Sequence, residues 1–184
     1  MTLAERVVAL HRALSRRRVP HAFGGAIALA FATLDPRGTS DIDVNLFVPS
    51  TAAARALAAL PQAVAQPAGT IETIERDGQI RLWWDSTPLD LFFDYAPIHQ
   101  DAAAHLRTVP FAGTRIPVLG PVELAVFKAM FDRTRDWADL EAMIAAGTLD
   151  LPAVRAALTT MLEPDDPRFD RLETAVRLAS APPG

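Results

Sequence analysis

The sequence predicts an α/β (α+β) chain, with a sheet in the first part and a helical lobe at the C-terminus. Two observations support this: segments with the apolar alternation of strands are confined to about the first hundred residues, and the segments that follow have helical character with Gly and Pro breaks. We expect a core at residues 1–108 and a helical lobe at residues 109–184.

The first forty residues predict a helix, a short strand and a second helix. Apolar residues recur at helical spacing between charged ones in the N-terminal segment, at Leu3, Val7, Leu10 and Leu14. A short apolar strand at residues 19–23 then leads through a glycine turn, Gly24-Gly25, into the small aliphatic run AIALAFATL. We interpret this stretch as strand, turn and helix.

The next sixty residues predict most of the sheet. The segment DIDVNLFVP alternates with the period of a strand, and Pro49-Ser50 stops it and begins a helix that reaches Ala65. Asp77-Gly78 lies between two runs that suit strands and predicts a hairpin. The segment PLDLFFDY predicts a further strand, and Trp83 and Trp84 are expected on opposite faces of theirs.

The remaining segments predict four helices after a short extended piece, RIPVLG. Gly147 and Pro164 break the pattern. The four helices are expected to begin near Val122, Arg135, Pro152 and Pro167.

Composition bounds the function. The absence of cysteine excludes disulfides, thiol catalysis and cysteine-ligated zinc, and it is compatible with a cytoplasmic protein. No apolar stretch is long enough to span a membrane, so we expect no membrane association. The net charge of -4 argues against a protein that coats nucleic acid with a basic surface.

A pair of carboxylates marks the candidate site. Asp41 and Asp43 are two residues apart on a predicted strand, so both leave the same face of the sheet. Two such anions repel unless a cation neutralises them, and hard oxygen ligands suit Mg²⁺ or Mn²⁺. A solvated strand end and a turn cap are the alternative interpretations of this pair taken alone.

Two further features favour a metal site. Gly24-Gly25, at the mouth of a helix, offers unhindered backbone N–H groups that can hold a triphosphate. Asp90, on a later strand, can supply a third carboxylate, and Asp94 on the same predicted face competes for that role. Two metal ions bridged by such carboxylates stabilise the attacking and leaving oxygens of phosphoryl transfer.

The series GGAIALAF, TSDIDVNLFV and LDLFFDY resembles the signature of nucleotidyltransferases of the DNA polymerase β superfamily: a glycine pair, a D-x-D strand and a third acidic strand. The segment VELAVFKAMFDRTRDWADLEAM is similar to the one that follows the core in AbiEii-type and mycobacterial MenT-type toxins of toxin-antitoxin systems. There, a Lys-bearing helix leads into an Arg-Asp-x-x-Asp helix. Together the two matches span about three quarters of the chain.

The resemblance implies a polymerase β-like core with a mixed sheet, dependence on Mg²⁺ (or Mn²⁺), and an NTP as the donor of an NMP. For the toxin branch it implies transfer onto the 3′ end of tRNA and a cognate antitoxin protein as partner. An aminoglycoside-type enzyme, a protein nucleotidyltransferase and a non-catalytic binding module remain alternatives, and the acidic net charge would suit a polycationic drug.

The resemblance also implies roles for individual residues. Asp41, Asp43 and Asp90 would be metal ligands, and Asp90 the candidate base for the acceptor hydroxyl. Gly24, Gly25 and Lys128 would contact phosphate. Either Asp136 or Asp139 would orient the neighbouring side chains. Many relatives carry Gly-Ser where this chain has Gly-Gly, so Thr39 or Ser40 would replace the missing hydroxyl. Lys128 is also the single lysine among 18 basic residues, which favours a need for an ammonium group.

Overall fold

The computed structural model describes residues 1–94 and 96–180, without the side chain of Pro97. Tyr95, the end of the predicted strand PLDLFFDY, lies outside the described residues. The chain divides into two compact units, one formed by residues 1–27 and 37–119 and the other by residues 28–36 and the residues from Gly120 onward.

The first unit is built on a mixed sheet, as expected. Its strands, within the described residues, lie in the order β3-β4-β5-β2-β1-β7-β6. β2 pairs in parallel with β5, β1 pairs in parallel with β7, and the other neighbours are antiparallel. The strands are β1 His21–Phe23, β2 Ile42–Pro49, β3 Val64–Ala65, β4 Gln79–Trp84, β5 Thr87–Asp94, β6 Arg107–Phe111 and β7 Thr114–Val118.

The helices of the first unit include the predicted amphipathic helix, α1, at Leu3–Arg16. Thr2 and Glu5 form a capping box at its start, and its apolar side faces the core, with Val7, Leu10 and Leu14 fully buried. The others are α3 Ala53–Leu57, α4 Thr70–Asp77 and α5 Pro97–Ala104, with α2 Gly25–Thr33 beginning in the first unit and continuing into the second.

The two central strands put their apolar residues on one face and leave acidic residues on the other. Ile42, Val44 and Leu46 of β2 are fully buried, as are Leu89, Leu91 and Phe93 of β5. Burying each such side chain contributes about 1.5–3 kcal/mol. Because side chains alternate along a strand, this core fixes which face Asp43 and Asp90 occupy. Trp84 is buried and Trp83 is exposed, which confirms that they point to opposite faces.

The predicted hairpin at Asp77-Gly78 is wrong. Residues 70–77 form helix α4, and Gly78 ends it in the left-handed conformation (φ 69°), donating its N–H to the Ile74 carbonyl at 2.8 Å. Glycine with positive φ serves a helix C-terminus as well as a hairpin turn, so the local signal fits both. The hairpin lies instead between β4 and β5, where Asp85 has φ 53°.

Other segments also differ from the sequence prediction. The helix expected to reach Ala65 is shorter, a 3₁₀ turn at Ser50–Ala52 followed by α3, and β3 follows it. Helix α5 and strand β6 were not anticipated. The predicted division after residue 108 falls within β6, whose partner β7 pairs with β1, so the first unit extends to Leu119.

The second unit contains the four predicted helices, each starting within one residue of its expected position. They are α6 Pro121–Phe131, α7 Thr134–Ala145, α8 Leu151–Thr159 and α9 Pro167–Ala179. Helix α6 packs on α7 and α8, and α7 packs on α9, around buried side chains that include Leu124, Leu140, Met143, Leu158 and Leu172. Across the described part of the chain, no helix is both long and apolar enough to cross a membrane.

Candidate active site

The acidic face of the sheet brings together the carboxylates predicted from the sequence. Asp43 of β2 and Asp90 of β5 are direct partners in the parallel pairing of these strands. Neighbouring strands are about 4.8 Å apart, so the two side chains leave the same face as neighbours. Asp41 lies two residues before Asp43, and all three residues are half-buried.

Register separates Asp90 from Asp94. Asp94 shares the face of Asp90, but its partner on β2 is Pro49, after an irregularity in the pairing. Four residues of strand correspond to about 13 Å. Of the two candidates, Asp90 is therefore the one that the fold places beside Asp43.

The glycine pair packs directly against Asp43. Gly24 donates its N–H to the Asp43 carbonyl at 3.0 Å. At Gly25, which has φ 49°, a Cβ would overlap the Asp43 carboxylate, with 2.5 Å to Cγ. Position 25 therefore requires glycine both for its backbone conformation and for the space that the carboxylate occupies.

We expect Gly25→Ala to lower the free energy of unfolding by at least about 1–3 kcal/mol from backbone strain alone, with a further loss as Asp43 is displaced. Urea denaturation measures the loss. Gly113→Ala is the matched control, because Gly113 also has positive φ (77°) but no heavy atom of the described residues lies within 4 Å of a Cβ there. Equal losses in the two variants would mean that the contact between Gly25 and Asp43 is energetically unimportant.

Asp90 is held by an arginine that the sequence analysis did not single out. Arg81 of β4 is the strand partner of Asp90, and its Nε and Nη2 donate to the two carboxylate oxygens at 2.7 and 2.6 Å. The hydrogen bonds and charge of Asp90 raise the pKa of Arg81, and the charges of Asp41 and Asp43 add to this. Around Asp90 the acidic face thus combines the carboxylates of Asp41, Asp43 and Asp90 with the guanidinium of Arg81.

Asp41 has its own partner in the preceding loop. The Thr39 hydroxyl donates to Asp41 Oδ1, whereas Ser40 is exposed. Of the two hydroxyls considered for phosphate contact, that of Thr39 therefore orients an acidic side chain in this structure. The proposed contacts of Thr39 and Ser40 with phosphate stay predictions.

The chemistry of these donors fits a hard divalent cation, since carboxylate oxygens are preferred ligands of Mg²⁺ and Mn²⁺. Gly25 leaves room for the Asp43 carboxylate itself, which occupies the space that a side chain at position 25 would fill. Nevertheless, the described residues contain no group of three or more His, Cys, Asp or Glu side chains gathered as metal ligands. Both oxygens of Asp90 accept from Arg81, so a metal ion held by all three carboxylates would share Asp90 with Arg81 or displace it.

Lys128 lies in the second unit, in a buried ion-pair network. Its Nζ contacts Asp139 Oδ2 at 2.5 Å and Asp136 Oδ1 at 3.4 Å, and Arg133 Nε binds Asp136 Oδ2 at 2.6 Å. Lys128, Asp136 and Asp139 are all buried. Both candidate aspartates therefore bind Lys128, and the contact of Lys128 with phosphate stays a prediction.

Comparison with known proteins gave matches to solved structures alone: no protein-family model matches the chain, and neither does any curated protein. The solution structure of the antibiotic-resistance factor ANT(2″)-Ia is 14% identical, with 95% of this chain and 89% of that chain covered and a TM-score of 0.53. The crystal structure of ANT(2″)-Ia in complex with adenylyl-2″-tobramycin is 16% identical, with 97% of each chain covered and a TM-score of 0.50.

A third match is the crystal structure of an antigenic nucleotidyltransferase-like protein from Paracoccidioides brasiliensis. It is 15% identical, with 91% of this chain and 89% of that chain covered and a TM-score of 0.51. At such identities the likeness concerns the fold. The chain therefore has the mixed-sheet α/β fold of these nucleotidyltransferases and nucleotidyltransferase-like proteins, as the sequence predicted.

Proposed function

We propose that this protein is a metal-dependent nucleotidyltransferase that moves an NMP from an NTP onto an acceptor. The observation that carries the proposal is the pairing of Asp43 with Asp90 across β2 and β5, with Gly24-Gly25 packed against Asp43 at the start of α2. Carboxylates from two neighbouring strands can bind divalent cations, and the backbone N–H groups of a glycine turn can bind the triphosphate that these cations accompany.

In this proposal Asp41, Asp43 and Asp90 hold Mg²⁺ or Mn²⁺. The bound cation would neutralise the carboxylates and the charge that develops on the triphosphate. Asp90 accepts the proton of the acceptor hydroxyl, whose oxygen bonds to the α-phosphorus as the bond to pyrophosphate breaks. The first turn of α2, with Gly24 and Gly25, binds phosphate through backbone N–H groups, and Thr39, Ser40 and Lys128 remain proposed phosphate contacts.

Two acceptors follow from two different observations. The segment VELAVFKAMFDRTRDWADLEAM, which contains Lys128, resembles toxin sequences. This resemblance favours the 3′ end of tRNA as acceptor, with a cytoplasmic toxin role and an antitoxin partner. The structural likeness to ANT(2″)-Ia, one of whose structures contains adenylyl-2″-tobramycin, favours an aminoglycoside, and the net charge of -4 suits a polycation. We place tRNA first because the resemblance to toxins rests on specific residues of this chain, whereas the likeness to ANT(2″)-Ia concerns the fold.

Incubation of the protein with each α-labelled NTP, Mg²⁺ and either total tRNA or an aminoglycoside panel distinguishes these acceptors. We expect label at RNA 3′ ends, lost on addition of EDTA. Label on a drug would establish the second candidate, and label on the protein or on a partner protein would identify a protein nucleotidyltransferase. An absence of transfer from all four NTPs to every acceptor would contradict the proposed activity.

A further inference from the structure

We propose that Arg81 is the internal counter-cation of Asp90 and competes with the divalent metal for that carboxylate, so that Asp90 exchanges Arg81 for metal when the site is loaded. This inference rests on the proposed function. It assigns to Arg81 a positioning role that controls when the third carboxylate becomes available.

The geometry places the two partners in competition for one carboxylate. The Arg81 guanidinium binds both oxygens of Asp90 through two parallel N–H donors, at 2.7 and 2.6 Å. This fork occupies the side of the carboxylate that lies between its two oxygens. A cation that also binds Asp43, the strand partner of Asp90, needs at least one of these oxygens. The cation and the guanidinium would then repel each other across one carboxylate, so binding of the cation weakens the fork.

Exposure indicates which of the two side chains moves. The Arg81 side chain is 52% exposed and that of Asp90 is 16% exposed. A guanidinium at the surface can swing into water at little desolvation cost, because about half of the Arg81 side chain already contacts water. Asp90 is held by a central strand whose neighbouring residues, Leu89 and Leu91, are fully buried. The exchange therefore moves Arg81 and leaves Asp90 in place.

Charge explains why Asp90 needs a cation in either state. Asp43 lies directly opposite Asp90, and Asp41 is close enough to act on Arg81. Like charges on adjacent strands destabilise the sheet. Without metal, Arg81 supplies one positive charge to this face, and a divalent cation supplies two. Arg81 thus offsets part of the negative charge of this face before the metal arrives.

The test is titration of the full chain with Mn²⁺ alone, followed by electron paramagnetic resonance of free Mn²⁺, for the parent and Arg81→Gln. We expect Arg81→Gln to bind Mn²⁺ at least about tenfold more tightly, corresponding to about 1.4 kcal/mol. Its metal-free melting temperature should fall, and Mn²⁺ should raise it by more than in the parent. Arg81→Lys, which keeps the charge but cannot occupy both oxygens, should show a smaller gain and serves if Arg81→Gln does not fold.

Two controls test whether Asp90 is responsible. Arg76→Gln is matched to Arg81→Gln, because Arg76 forms the same fork with Asp77, at 2.7 and 2.7 Å, at the end of α4; it should bind Mn²⁺ like the parent. The double variant Arg81→Gln/Asp90→Asn should lose the gain in affinity. A gain that persists there would overturn the inference, since it would come from charge removal alone.

Failure of the inference and failure of the proposed function give different results. Equal Mn²⁺ affinity in the parent and in both Arg81 variants would overturn the role of Arg81 and leave the metal site standing. Absence of Mn²⁺ binding in the parent and in both Arg81 variants would overturn the metal site as well.

Discussion

Replacing Asp43 by asparagine is expected to reduce NMP transfer to below about one hundredth of the parent rate, a loss of about 2.7 kcal/mol of transition-state stabilisation. Asparagine keeps the shape of the side chain but removes the charge that a divalent cation requires. Because Asp43 and Asp90 repel each other without metal, the metal-free stability should be unchanged or slightly higher. Initial rates of label transfer and urea denaturation measure the two effects.

Asp94→Asn is the matched control for this prediction. Asp94 shares the face of Asp90 on β5 but lies opposite Pro49, away from Asp43. We expect its transfer rate to stay within a few-fold of the parent. Activity within tenfold of the parent in Asp43→Asn would refute the metal role of that residue, and an equal loss in Asp94→Asn would mean that register does not select the third carboxylate.

Replacing Lys128 by methionine is expected to lower the free energy of unfolding by about 3–5 kcal/mol near neutral pH, because it removes the ammonium from two buried carboxylates. Asp139 is 2.5 Å from the Lys128 Nζ, and Asp136 keeps only its contact with Arg133. Chemical denaturation measures this loss independently of any activity.

The control is Arg155→Met, which breaks the exposed pair between Arg155 and Glu173, whose side chains are 49% and 50% exposed. An exposed pair contributes about 0–1 kcal/mol, so this loss should be small. The double variant Lys128→Met/Asp139→Leu should regain part of the stability, since it also removes one of the two buried carboxylates that Lys128 contacts. A loss below 1 kcal/mol in Lys128→Met would show that the network does not stabilise the second unit.

The sequence by itself determined the elements whose signals are local. The alternation along residues 41–49 predicted β2, because one face of that strand is buried in the core. The four helices of the second unit begin where Pro and helical apolar spacing placed them, since caps and breakers act within a few residues. The acidic positions and the glycine pair were also evident, because their chemistry depends on residue type and short spacing.

Local signals failed where one residue suits two structures. Gly78 fits a hairpin as well as a helix end, and the apolar face of residues 70–77, including Ile74, decides for the helix by packing. The hairpin between β4 and β5 has Asp85 in the left-handed conformation, and it lacks the glycine of the Asn-Gly and Asp-Gly pairs that indicate a hairpin most strongly. Placing that hairpin correctly would have aligned Arg81 with Asp90.

Only the tertiary structure decided which charged groups meet. The pattern of a strand fixes the face of each side chain, but the register between β2 and β5 depends on packing between segments that are more than forty residues apart. That register places Asp90 beside Asp43 and Asp94 beside Pro49, and the pairing of β4 with β5 brings Arg81 to Asp90. In the second unit, the packing of α6 on α7 buries the Lys128 ammonium with Asp136 and Asp139, an ion-pair network that the sequence did not reveal. Long-range contacts depend on how the apolar faces of distant strands and helices pack together, and a local sequence pattern does not specify that packing.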